Sequence, residues 1–154
     1  MSNQSPNQIS VSVDLNASSS RVWEALTDSQ RFGSWFGVKI ETPFQLGKDA
    51  VGKITHPGYE HVTWRVKVEK IEFERLFAFS WHPYAVDLNH DYSAETPTLC
   101  AFRLEKTDGG TRLMITETGF DQIPAARRDE AYRKNHEGWL EQARRIETYL
   151  GKNS

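Results

Sequence analysis

Several features that would narrow the class of this protein are scarce or missing. The 154 residues include one cysteine, Cys100, so no disulfide can form within the chain, and this scarcity fits a reducing compartment. The 19 basic and 21 acidic residues give a net charge of −2, which does not favour a nucleic-acid or anionic-membrane surface. No apolar run approaches the roughly 18 residues of a membrane span. We therefore predict a cytoplasmic protein with neither nucleic acid nor membrane as a partner.

Sequence motifs for common catalytic chemistry are also missing. No Gly-x-Ser-x-Gly segment provides a nucleophile, and Asp108-Gly109-Gly110 is better explained by a hairpin than by a phosphate-binding loop. A group with metal-ligand residue types does occur, but its spacing matches no zinc pattern: His82, Asp87, His90 and Asp91. We predict no catalytic residue, no metal site and no cofactor.

The clearest positive feature is helical periodicity from Pro124 to Leu150. At 100° per residue one stripe collects Ala125, Tyr132, His136, Trp139, Ala143, Ile146 and Leu150. The charged residues, among them Arg127, fall on the opposite face, which is predicted to be solvated. Pro124 is typical of a helix start and Gly151 of a helix stop. Such a stripe is stable only against a second apolar surface, which the rest of the chain must supply.

The rest of the sequence predicts mainly β-strands. Residues 9–15 alternate in polarity as a half-buried strand does, and two short helices are predicted before residue 36. The aromatic residues at the end of the second helix, Phe32, Trp35 and Phe36, are predicted to face inward. Further strands are predicted near 38–41, 50–56, 62–69, 76–81, 98–105 and 111–118. The turn Thr107-Asp108-Gly109-Gly110 is a strong hairpin signal, which favours antiparallel pairing.

These elements predict an α+β fold with a single domain. A curved antiparallel sheet of about six or seven strands would wrap around the long C-terminal helix, with two short helices after the first strand. We assign residues 1–8 to a disordered tail and residues 9–151 to the domain. Because so few helices cover only part of a curved sheet, a gap between sheet and helix is expected.

Six segments in order resemble a known family. They are Val22-Trp23-Glu24-Ala25-Leu26-Thr27-Asp28, Trp35-Phe36, Phe79-Ser80-Trp81, Gly110-Thr111-Arg112-Leu113, Thr116-Glu117-Thr118-Gly119-Phe120 and Gly138-Trp139. The chain is similar to small bacterial proteins related to the C-terminal domain of the activator of the Hsp90 ATPase, within the START-like, or Bet v 1-like, helix-grip superfamily. This resemblance implies a sheet that grips the last helix around an elongated cavity. It also implies binding of lipids, hormones, aromatic polyketides or other hydrophobic molecules, with cyclases or hydrolases as a minority.

Candidate ligand-binding residues come from the aromatic residues, which make up 12% of the chain, and from one histidine. They are Trp35, Phe36, Trp64, Phe79, Trp81, Phe102, His136 and Trp139. Each of these residues could equally belong to an ordinary core, but packing around so many rings tends to leave a void. The connection from His82 to Pro97 is long for a loop and is predicted to control access to that void. Gly138, within the long helix, predicts close approach of another element or a ligand.

We therefore predict a binding protein, without enzymatic activity, that encloses a small hydrophobic or aromatic molecule between the sheet and the C-terminal helix. One alternative is a module that binds a chaperone through its outer surface, as the family resemblance implies. A second is a cyclase or hydrolase in which His136 or His56 transfers protons.

Overall fold

The structure is a computed structural model that describes residues 8–152. The predicted tail, residues 1–8, lies outside this range except for Gln8, which begins the first strand. The strands are β1 (Gln8–Leu15), β2 (Val38–Ile40), β3 (Asp49–Ile54), β4 (Thr63–Glu72), β5 (Leu76–Trp81), β6 (Thr98–Thr107) and β7 (Gly110–Thr118). The helices are α1 (Ser19–Thr27), α2 (Ser29–Phe36) and α3 (Ala125–Lys152), and a 3-10 turn covers Phe120–Gln122.

All seven strands form one antiparallel sheet in the order β1-β7-β6-β5-β4-β3-β2. The first strand therefore pairs with the last, and Ile9 lies opposite Glu117. Between β6 and β7, Thr107 pairs with Gly110 across a two-residue turn, as the composition of that turn predicted. The curved sheet and the long helix confirm the predicted α+β helix-grip fold.

The two short helices are defined by their caps. The Ser18 side chain accepts a hydrogen bond from the Arg21 N–H at the start of α1. Asp28 ends α1, and its carboxylate accepts from the first N–H groups of α2. Gly37, with a φ of 93°, ends α2 in the left-handed conformation that glycine adopts without strain. The pair turns Trp35 and Phe36 into the interior, as predicted.

The long helix begins at Ala125, directly after Pro124 as predicted, but its end and the burial of its first turn differ from the prediction. It continues through Gly151 to Lys152, so the predicted stop at Gly151 is wrong. The buried positions are Ala131, Trp139, Ala143, Ile146 and Leu150, whereas Ala125 is exposed. A helical wheel reports only which residues share a face, and it does not show where along the helix the sheet begins to cover that face. None of the helices within residues 8–152 is both long and apolar enough to cross a membrane.

Aromatic side chains fill the space between the sheet and the helices. Phe32, Phe77, Phe79 and Phe102 are completely buried. Phe32 contacts the rings of six other aromatic residues at centroid separations between 4.8 and 6.3 Å, for example Phe36 at 4.8 Å and Phe102 at 6.3 Å. The centre of the fold is thus a packed aromatic core, and open space is found at its margin.

Candidate functional site: a cleft at the margin of the aromatic core

A cleft of about 450 Å³ opens where the aromatic core meets the segment 82–92. Phe36, Trp64 and Trp81 form an aromatic part of its lining, the segment from His82 to Tyr92 contributes a second part, and α3 contributes Asn135. The three aromatic rings lie 5.9 to 6.5 Å from one another. A volume of this size falls within the roughly 300–1,000 Å³ typical of sites for small molecules.

The structure brings three of the eight predicted residues to this cleft: Phe36, Trp64 and Trp81. Phe79, Phe102 and Trp139 lie in the adjoining core, where the Trp139 and Trp81 rings stack at 5.7 Å. Trp35 lines a separate groove between α2 and α3, and its indole N–H donates to the Ala25 carbonyl at 2.8 Å. His136 is also outside the cleft, where it stacks on Tyr132 with ring centroids 6.2 Å apart.

Two nitrogen atoms of the cleft lining are buried without a hydrogen-bond partner among the described residues: Trp64 Nε1 and His82 Nδ1. Buried polar atoms are nearly always bonded, because leaving one unpaired costs roughly 1–3 kcal/mol. The indole nitrogen can only donate. A ligand or a water molecule that supplies an acceptor at Trp64 would remove this cost.

The environment of His82 favours the neutral form of its imidazole. Burial is the largest effect and lowers its pKa; the negative charge of Glu95 opposes that shift and the positive charge of Arg127 adds to it. A neutral imidazole has one nitrogen that donates and one that accepts. His82 Nδ1 can therefore take either role towards a ligand, depending on its tautomer.

A buried carboxylate, Glu117 on β7, lies behind the cleft wall. It is completely buried and accepts hydrogen bonds from four neutral side chains. The indole N–H groups of Trp81 and Trp139 donate at 2.7 and 2.8 Å, the Thr98 hydroxyl at 2.5 Å, and the Asn135 amide at 3.0 and 3.2 Å. Glu117 thus connects strands β5, β6 and β7 to the middle of α3.

Sequence reasoning missed Glu117 as a functional residue, although a signal for it exists. Burial along β7 alternates, and the inward set is Thr111, Leu113, Ile115 and Glu117. A carboxylate on the inward face of a half-buried strand must be satisfied by buried donors, which makes it a site candidate.

Cys100 lies fully buried beside this carboxylate. Burial raises the pKa of the thiol well above its usual value, and the negative charge of Glu117 raises it further. Nucleophilic cysteines need a lowered pKa and some exposure. Cys100 is therefore a packed core residue.

One arginine anchors the long loop over the cleft. Arg127 on α3 forms a close ion pair with Glu95, with N–O distances of 2.6 and 3.0 Å, and donates to the Pro83 carbonyl at 2.8 Å. Its guanidinium also lies over the Tyr92 ring, 4.7 Å from the centroid. The arginine hydrogen bond is the main cause that lowers the pKa of Glu95. The placement of Arg127 on a solvated face is wrong, because the loop covers that part of the helix.

The structure also shows the surroundings of Gly138, of His56 and His136, and of the residues with metal-ligand types. A Cβ added at Gly138 would meet no atom within 4 Å, so the expected close approach there is wrong. His56 is exposed, and neither His56 nor His136 lines the cleft. Of the residues with metal-ligand types, His90 pairs with Glu95 at 2.9 Å, and Asp91 accepts from the Ser93 hydroxyl and N–H.

Comparison with known proteins identifies the same fold. The sequence model of the family described as "Activator of Hsp90 ATPase homolog 1-like protein" matches residues 16–151. Protein MLL2253 from Mesorhizobium loti is similar with a TM-score of 0.75 and 18% identity, over 96% of this chain and 98% of that one. A protein from Arthrobacter aurescens has a TM-score of 0.76 and 20% identity, over 97% of this chain and 90% of that one. DynU16, a putative protein in the dynemicin biosynthetic locus, has a TM-score of 0.73 and 20% identity, over 96% of this chain and 48% of that one. No curated protein sequence matches this chain.

Proposed function

The chain belongs to the family of Activator of Hsp90 ATPase homolog 1-like proteins, and we propose that it binds a small hydrophobic or aromatic molecule in the cleft beside the segment 82–92. Proteins of this fold commonly serve as ligand-binding scaffolds, but the family leaves the ligand open. The proposal therefore rests on the cleft itself, and on Trp64 in particular.

Trp64 is the single observation that supports the proposal most. Its side chain is only 5% exposed, yet its Nε1 has no hydrogen-bond partner among residues 8–152. The other two indoles nearby, Trp81 and Trp139, both donate to Glu117. An unsatisfied donor in an aromatic wall suits a ligand with a flat apolar body and an acceptor at one end.

The loop supports the proposal by closing the outer side of the cleft. Tyr84, Val86 and Leu88 come from it and line the space, and the Glu95–Arg127 ion pair ties it to α3. Both members of that pair are largely buried, with side-chain exposures of 7% and 17%. A ligand beside the loop would lose part of its contact with water, which favours apolar binding.

An enzymatic role for His136 or His56 is not proposed, because neither imidazole reaches the cleft. A chaperone partner is the second candidate, and one surface feature favours it. Phe73, in the turn between β4 and β5, is 78% exposed, and its neighbour Ile71 is 39% exposed. If this surface binds a chaperone ATPase, the ATPase rate should change on addition of the protein, and Phe73→Ser should abolish that change.

The binding proposal is tested by thermal unfolding in the presence of a panel of naphthalene, flavonoid and fatty-acid compounds. At least one compound should raise the melting temperature of the wild type in a saturable way. The variant Ala85→Trp places a large ring at the lining of the cleft and should lose that response. Ala126→Trp, at an exposed position of α3 outside the cleft lining, should keep it. If no compound stabilises the wild type, or if Ala85→Trp responds like the wild type, the proposal is wrong.

A further inference from the structure

We propose, on the basis of the binding function above, that the ligand is a neutral aromatic molecule bearing both a hydrogen-bond acceptor and a hydrogen-bond donor, such as a hydroxylated aromatic ring. The two protein groups that select it are Trp64 and Asn135, which both line the cleft. Glu117 takes part indirectly, because it fixes which end of the Asn135 amide faces the ligand.

The orientation of the Asn135 amide follows from its neighbour. Its nitrogen lies 3.0 and 3.2 Å from the two oxygens of Glu117. A carboxylate only accepts hydrogen bonds, so the amide end beside it must be the NH₂ group rather than the oxygen. The other end of the amide is then its oxygen, and because Asn135 lines the cleft, we infer that this oxygen faces the cleft, where it can only accept.

Glu117 cannot easily move to release this arrangement. Trp139 donates to its Oε1, and Trp81 and Thr98 donate to its Oε2. Indole nitrogens are donors in every state, so neither tryptophan can adapt to a different partner. Hydrogen bonds to both oxygens fix the position of the carboxylate, and the carboxylate in turn fixes the orientation of the Asn135 amide.

The cleft therefore offers one fixed donor, Trp64 N–H, and one fixed acceptor, the Asn135 carbonyl. A pure hydrocarbon leaves the Trp64 donor unsatisfied. A carboxylate ligand could satisfy Trp64, but it would have no proton for Asn135 and would approach the negative charge of Glu117. A neutral ligand with both functions satisfies both side chains, so the polar atoms of the cleft discriminate by hydrogen bonding as well as by shape.

Isothermal titration with three matched probes tests this selection: 2-naphthol, 2-methoxynaphthalene and 2-naphthoate. The methyl ether keeps the aromatic body and the acceptor but lacks the donor. We expect the wild type to bind 2-naphthol about tenfold or more tightly than either of the others, the size of one hydrogen bond to a buried partner. In Asn135→Leu the affinities for 2-naphthol and 2-methoxynaphthalene should lie within about twofold of each other, mainly because 2-naphthol binds more weakly.

The controls separate selection from a general loss of structure. Asn16→Leu, at an exposed position outside the cleft, should keep the wild-type preference. Trp64→Phe should weaken naphthol and ether alike, because both present an acceptor to the lost N–H. If Asn135→Leu does not fold, Asn135→Ala replaces it, with far-ultraviolet circular dichroism as the check on folding.

The outcomes also separate this inference from the proposed function. If none of the probes and no member of the wider aromatic panel binds the wild type, the binding function itself fails. If probes bind and are lost with Ala85→Trp, but naphthol and ether bind equally, only the donor–acceptor inference is overturned. Tightest binding of 2-naphthoate would overturn it as well, and so would an unchanged preference in Asn135→Leu.

Discussion

Replacing Glu117 by glutamine changes one atom of a buried side chain and tests what holds the cleft wall in place. The carboxylate accepts from both indoles, with Trp139 on one oxygen and Trp81 on the other. In Glu117→Gln one of these oxygens becomes an NH₂ group. Whichever way the new amide turns, one indole N–H then faces another donor, and an indole cannot turn its nitrogen into an acceptor.

The size of the effect follows from the groups involved. A buried donor without a partner costs roughly 1–3 kcal/mol, and each remaining bond loses the extra strength, about 1 kcal/mol, that an ionised acceptor provides. Removing the charge also removes the cost of dehydrating it, which acts in the opposite direction. We expect a net loss of about 1–3 kcal/mol in the free energy of unfolding, a large part of the roughly 5–15 kcal/mol typical of a domain.

Urea unfolding followed by tryptophan fluorescence measures this loss. Glu117→Met should be less stable than Glu117→Gln, because it removes the acceptor that all four donors share. Glu41→Gln, at an exposed position, should stay within about 0.5 kcal/mol of the wild type. If Glu117→Met equals or exceeds the wild type in stability, dehydration of the carboxylate outweighs its hydrogen bonds, and the reasoning is refuted.

Four further changes give clear expectations. Trp139→Ala should cost about 3–5 kcal/mol in urea unfolding, since the ring is 2% exposed and packed among other aromatic rings; a loss under 1 kcal/mol would indicate a void there. Gly138→Ala should raise stability by about 0.5–1 kcal/mol in the same assay, because the site is open; a decrease would contradict this. Arg127→Met should increase amide hydrogen exchange at least about tenfold across residues 82–97 and leave β7 unchanged; equal protection would mean that the ion pair does not hold the loop. The hydrogen bond from Arg127 lowers the pKa of Glu95, so the folded state favours the carboxylate. The difference in unfolding free energy between wild type and Glu95→Gln should therefore be constant above the unfolded-state pKa of 4.5 and shrink as the pH falls through the lower pKa of the folded state. A difference that stays constant in urea unfolding from pH 6 to 3 would contradict this.

The fold was predictable because its signals are local and periodic. Alternating polarity located the strands, and the turn at residues 107–110 set the β6–β7 pairing, which the structure confirms. The inward position of Trp35 and Phe36 at the end of a short helix was also correct. These features depend on the spacing of residues along the chain, which can be read directly from the sequence.

The site was harder to predict because it depends on how distant segments meet. The sequence suggested eight aromatic and histidine candidates, but it could not show which rings fill the core and which face open space. Trp81 and Trp139 illustrate this, since they stack on one another and yet only Trp81 lines the cleft. The helical periodicity places Arg127 on a surface face, but in the structure a loop more than 30 positions away along the chain packs on it.

The most direct test of the account observes the indole N–H of Trp64 while a ligand binds. The chain has five tryptophans, so an ¹⁵N-labelled sample gives five indole cross-peaks, which single Trp→Phe variants assign. We predict that titration with 2-naphthol shifts the Trp64 cross-peak downfield in a saturable way, because its N–H gains an acceptor. The Trp35 cross-peak, whose N–H already donates to Ala25, should stay in place. A Trp64 cross-peak that does not move while 2-naphthol binds, or a larger shift at Trp35, would contradict the assignment of this cleft as the ligand site.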